Sequence, residues 1–228
     1  MKSKQYLYAG TLALAVAAAL GVSTSITQAV PNPKPKVPAL QVDPTWPKMP
    51  LPVAGEFGTP LKVSTSTGKP LPWVTGEVAG TCVDSQDNVF TVNRGNLVAP
   101  ETVTAVPSPT VIEFDSDGNV VNAFNVTGTQ SQIHGCFVDY QDNIWIAGNG
   151  DGIVEKWSHD GSTKLLQIGT KGVCDNPPAN TCGNSANNPL ANKSHTLLNE
   201  PANVWVDPNP DPVTGQRGSV YIADGYGR

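Results

Sequence analysis

Three times between residues 80 and 223 the chain runs through one short phrase: an apolar stretch closing on Val-Asp, a polar turn, then a stretch rich in β-branched and aromatic residues. The copies are GTCVDSQDNVFTV at 80–92, GCFVDYQDNIWIA at 135–147 and NVWVDPNPDPVTGQRGSVYIA at 203–223. Alternation of this kind fits strands and not helices. Between the copies lie VIEFDSDGNVVNAF at 111–124 and VEKWSHDGSTKLLQIG at 154–169, each divided by Asp-Gly at 117–118 or 160–161. An Asp-Gly pair between two apolar runs is a hairpin signal.

Each unit therefore supplies short strands in succession, and the Val-Asp recurs after 55 residues (Asp84 to Asp139) and again after 68 (Asp139 to Asp207). That is the period of a β-propeller blade enlarged by loop insertions, here at 95–110 and 170–200. The repeats fall near 79–124, 134–169 and 201–228, within a propeller region spanning 73–228, and the innermost strands are expected at 79–84, 134–139 and 202–207. Propeller rings close on four to eight blades, whereas the repeats amount to about two and a half. The expectation is thus part of a longer protein, or a chain that assembles with further copies to cover its blade edges.

Before the repeats, residues 30–72 are Pro-rich (PNPKPKVPAL, DPTWPKMPLP) and read as a linker or an extended arm laid on the domain, anchored by Trp46 and Trp73. Residues 1–29 read as an export signal: Lys2 and Lys4, an apolar run from Leu7 to Val22, and small residues before Val30. The run falls short of a full membrane span, so the mature chain is expected to be secreted or periplasmic, without a stable span. Loss of Lys2 and Lys4 would take the formal charge from −5 to −7, which argues against nucleic acid as a partner. An oxidising compartment permits disulfides. Cys174 and Cys182 bracket the polar loop DNPPANT, and a short loop disulfide is the expected outcome there; their spacing exceeds that of a zinc knuckle.

The segments GEVAGTCVDSQDNVFTVNRG, QIHGCFVDYQDNIWIAGNGDG and NEPANVWVDPNPDPVTGQRGSVYIADGYGR resemble successive NHL repeats of the peptidyl-α-hydroxyglycine α-amidating lyases and of related exported bacterial NHL proteins. The resemblance covers roughly 41–228 and implies an all-β, NHL-type β-propeller, six-bladed when complete. It implies the cleavage of a hydroxyglycine-extended peptide to an amide and glyoxylate. It also implies His134 as one of three zinc-binding histidines, Arg94 as an active-site arginine and Tyr226 as the tyrosine beside the zinc. The backbone carbonyls of Thr81 and Cys136 would be ligands of a structural calcium on the channel axis. A catalytic zinc takes three protein donors, and the matching second and third histidines are not found, so this chain alone is expected to be inactive.

Each residue has a plainer reading. His134 can hydrogen-bond backbone, Arg94 can be a salt-bridging loop residue, and Tyr226 can pack within its Asp-Gly-Tyr-Gly turn. His159 and His195, in a hairpin and an insertion, are expected to be solvated. Asp84, Asp139 and Asp207 are expected to accept backbone N–H groups of the turns that follow. Trp145, Trp157 and Trp205 are expected in the inter-blade core. Cys82 and Cys136, offset by one place relative to their Val-Asp, are expected on opposite strand faces and unbridged. Beside the lyase reading stands a non-catalytic secreted propeller that binds a peptide, glycan or protein partner at the channel mouth or the insertion loops. A lactone or ester hydrolase built on the same scaffold stands third.

Overall fold

A computed structural model describes residues 40–128, 132–183 and 188–224. The chain divides into two units, Met1–Val42 and Asp43–Arg228. Of the first unit only residues 40–42 are described, all exposed; the expected leader at 1–29 and the start of the arm lie outside the described residues. All regular structure among the described residues belongs to the second unit.

The Val-Asp repeats set the strand order. β2 (Val78–Val83), β3 (Val89–Asn93), β5 (Val111–Phe114) and β6 (Val120–Phe124) form one antiparallel sheet in that order. β7 (Ile133–Val138), β8 (Ile144–Gly148), β9 (Ile153–Trp157) and β10 (Lys164–Ile168) form a second sheet of the same plan. β11 (Asn203–Val206) and β12 (Val220–Ala223) begin a third. β1 (Trp73–Val74) pairs in parallel with β4 (Val106–Pro107), which lies in the first insertion. The fold is all-β: among the described residues the only α-helix is a single turn at Glu101–Thr104. No helix among them is long and apolar enough to cross a membrane.

The first strand of each sheet lies beside the first strand of the next, β2 against β7 and β7 against β11. Glycine makes the approach possible. A Cβ on Gly80 would come within 3.0 Å of the Gly135 Cα and the His134 carbonyl oxygen, and one on Gly135 within 2.7 Å of the Ala202 oxygen. The Gly135 amide donates to that Ala202 oxygen at 2.9 Å, a backbone bond between neighbouring sheets.

Apolar faces fill the gaps between sheets. Phe90, Val92 and Val111 of the first sheet meet Ile133, Ile144 and Ile146 of the second, all at or near complete burial; burying each such side chain is worth about 1.5–3 kcal/mol. Trp145, Ala147 and Val154 on the other face of the second sheet meet Val204 and Val206. The outer face of the first sheet is covered by the arm, whose Trp46, Leu51 and Trp73 pack on Ile112, Phe114 and Ala123. Residues 43–72 are therefore a covering arm and not a free linker. Bridges Val53–Pro72 and Val63–Pro70 fold it on itself, and the Lys48 amide, donating to the Gly118 oxygen at 2.9 Å, ties it to the β5–β6 turn.

Four side chains depart from expectation. Cys82 and Cys136 are joined, at S–S 2.09 Å, in a bridge from β2 to β7. The premise of opposite strand faces holds and the inference from it inverts, because in stacked sheets the forward face of one strand and the backward face of the next look at each other. Trp205 stands two places before its Asp, as Cys82 and Phe137 do, so it faces away from the second sheet and is 46% exposed; Trp145 and Trp157 are buried as expected. His159 is half-buried and hydrogen-bonded, whereas His195 is exposed.

The second insertion, between β10 and β11, carries the Cys174–Cys182 bridge at S–S 2.09 Å. Asp175 beside it accepts from the amides of Lys193 and Ser194, which folds the loop back on itself. Non-reducing peptide mapping should recover two linkages, 82–136 and 174–182. Replacing Cys82 and Cys136 by Ser should lower stability by about 4 kcal/mol in a denaturant titration, the chain-entropy value for a closed loop of this length. Replacing the 174–182 pair should cost less.

Candidate functional site

Two ends of the stacked strands gather polar side chains. At the Asp end, each Val-Asp opens a tight turn in which the carboxylate satisfies amides that would otherwise be orphaned. Asp84 Oδ1 accepts from the amides of Gln86 and Asn88, both at 2.8 Å. Asp139 Oδ1 does the same for Gln141 at 2.9 Å and Asn143 at 3.0 Å, and Asp207 Oδ1 for Asn209 at 2.8 Å. The repeating aspartates are thus turn-formers, as their repetition suggests. The first two turns are also tied together, since Ser85 donates through its amide and hydroxyl to Asp142 at 3.0 and 2.7 Å.

The second oxygens of Asp84 and Asp139 are served differently. Asp139 Oδ2 receives the Lys156 ammonium at 2.8 Å and the Trp145 indole N–H at 2.8 Å. Pairing register places Phe90 and Glu113 in the first sheet where the second has Trp145 and Lys156. Phe cannot donate and an ionised Glu cannot either, and Asp84 Oδ2 is met instead by the Asn88 side chain at 2.9 Å and by His159 Nε2 at 2.9 Å. His159 comes from the β9–β10 turn of the neighbouring sheet. Its ring stands edge-on to Phe90 at 5.4 Å. Asp84, Glu113 and His159 form the one group among the described residues in which three or more His, Cys, Asp or Glu donor atoms lie within 4.8 Å of one another.

At the opposite end, Arg94 follows β3 and reaches across to the second sheet. Its Nε donates to the Ile133 carbonyl oxygen at 3.2 Å, one residue before His134, and its Nη1 pairs with Glu77 at 2.8 Å. Arg94 and His134 are thereby neighbours along the β2–β7 seam, and His134 is half-buried. Thr81 and Cys136 stand three places before Asp84 and Asp139 on adjoining strands, Thr81 exposed and Cys136 buried. Tyr226 lies outside the described residues.

A catalytic zinc takes three protein donors, and the one three-donor group of the described residues does not contain His134. The described residues thus do not make up a complete zinc site at His134. No protein-family model matches the chain, and no curated protein sequence matches it.

Sequence reading passed over the Asp84–Glu113–His159 group because it unites a strand and two turns from two sheets. The available signal was a comparison of repeats: Glu113 and Phe90 stand where Lys156 and Trp145 would complete the turn.

Burial works to raise Asp139, but the Lys156 and Trp145 donors and the turn amides outweigh it and hold the carboxyl below its usual range. A depressed carboxyl stabilises the fold above its ordinary value, about pH 4, and that benefit fades as pH falls through the folded value. Lys156→Ala should cost about 3 kcal/mol at pH 7, because a buried carboxylate loses its counter-charge. In urea titrations the gap from wild type should narrow below about pH 4, where Asp139 takes up its proton in both proteins.

Proposed function

We propose that the chain belongs to an exported NHL-type β-propeller that receives a carboxylate-bearing peptide where Arg94 and His134 adjoin. The observation that carries this reading is the double engagement of Arg94. Its Nε is fixed to the backbone of the next sheet while its Nη1 holds the carboxylate of Glu77, a residue whose side chain is 62% exposed. A guanidinium held in this way presents a planar donor edge that suits a carboxylate. An exposed ion pair is worth no more than about 1 kcal/mol, so a ligand carboxylate displaces Glu77 at small cost.

The repeat resemblance supplies the substrate class and the reaction: a hydroxyglycine-extended peptide, released as amide and glyoxylate. His134 is one donor toward the zinc such a reaction uses, and turnover requires two more. The two disulfides accord with an oxidising, extracytoplasmic compartment.

Calorimetric titration with a peptide ending in a free glycine carboxylate, and with the same peptide amidated, tests the reading. The acid should bind and the amide should not. Arg94→Ala should abolish binding, and Glu77→Gln should strengthen it several-fold by removing the internal competitor. Glyoxylate release by this chain should be nil. Equal binding of acid and amide, or binding indifferent to Arg94, would refute the proposal.

A further inference from the structure

The Asp84–Glu113–His159 group lies in the seam between the first two sheets, and it differs from its counterpart in the second sheet in one decisive respect. There the buried aspartate is met by a lysine of its own sheet, a charge present at every physiological pH. Here the lysine position is a second carboxylate, Glu113, only 5% exposed, and the partner is an imidazole from the adjoining sheet. We propose that this group is a proton-operated joint: a proton held by the two buried carboxylates keeps the β9–β10 turn on the first sheet, and its loss leaves two buried charges with no lysine or arginine to meet them.

The groups that face the joint are few. The β2–β3 turn contributes Asp84 with Asn88, and β3 contributes Phe90, which fixes the ring edge-on at 5.4 Å. β5 contributes Glu113, and β6 contributes Asn122, which stands opposite Glu113 in the sheet and whose side chain donates to the Asp160 carbonyl oxygen at 3.2 Å. The β9–β10 turn contributes His159 and the exposed Asp160, whose carboxyl is drawn down to about 2 by hydrogen bonds from Ser158 and Ser162. None of these is a lysine or arginine, so compensation of the two carboxylates falls to protons.

Burial pushes Glu113 above its usual range, with the Asp84 charge adding to the push and His159 and Asn122 opposing it. Burial acts on Asp84 in the same sense, but hydrogen bonds from His159, Asn88 and Gln86 outweigh it and hold Asp84 low. A raised carboxyl favours the folded state below its ordinary value and loses that contribution as pH rises through the folded value; a depressed one does the reverse. The joint is therefore tightest between the lowered value of Asp84 and the raised value of Glu113, loosens as pH rises through the latter, and fails as pH falls through the former.

Thermal melting of the intact oxidised protein between pH 3 and pH 8.5 tests this, with His159→Gln, Glu113→Gln and His195→Gln as variants. Wild type and His195→Gln should gain several degrees in Tm as pH falls from 8 to 5. His159→Gln should lose that gain. Glu113→Gln should melt higher than wild type at pH 8 and show a flatter profile, and it carries the test by itself should His159→Gln not fold. A wild-type gain that survives both substitutions would overturn the proposal. So would a gain that EDTA abolishes and added zinc restores, which would make the group a cation site.

Discussion

Gly80 and Gly135 allow the backbones of β2 and β7 to lie within about a side chain's thickness of each other, and the rest of the architecture follows from that approach. Once the first strands of two sheets are in contact, the sheets must stack face to face, and Phe90, Ile144 and Ile146 lose all or nearly all contact with water. The same approach recurs between β7 and β11, where the Gly135 amide reaches the Ala202 oxygen. The aspartate turns and Arg94 gather at the strand ends, while Glu113 and Glu155 are buried within β5 and β9 and each depends on a polar partner.

Stacking also dictates which side chains can meet. A residue two places before its Asp looks forward to the next sheet, and one three places before looks back. Cys82 holds the forward position and Cys136 the backward one, so the disulfide is a product of the stacking geometry. Phe137 and Trp205 hold the forward position in the later sheets; Phe137 packs against the core that the third sheet shares, while Trp205 is half open to solvent. Thr81 and Val83 look backward from the first sheet and are correspondingly exposed.

Local pattern made the strands, the Asp-Gly hairpins, both insertions and the aspartate turns legible in the sequence, because each is decided within a dozen residues. The innermost strands expected at 79–84, 134–139 and 202–207 match β2, β7 and β11 to within one residue at each end. Trp46 and Trp73 proved to be the arm's anchors, since a Pro-rich segment has few other apolar groups to bury. The Cys82–Cys136 bridge and the His159 contact were not legible, as both depend on which face of one sheet meets which face of the next. Of the candidate site, the reach of Arg94 to the Ile133 carbonyl was not legible in the sequence, because it too depends on how two sheets stack.

The central claim is that the sheets are joined at their first strands into one cooperative stack. Native-state hydrogen exchange on the intact protein measures this directly. The Gly135 amide, which has no partner unless the third sheet is docked, should exchange as slowly as the β3 and β8 amides and respond to denaturant with the same slope. Exchange of Gly135 at a rate typical of loops, with β3 and β8 protected as separate units, would contradict the account.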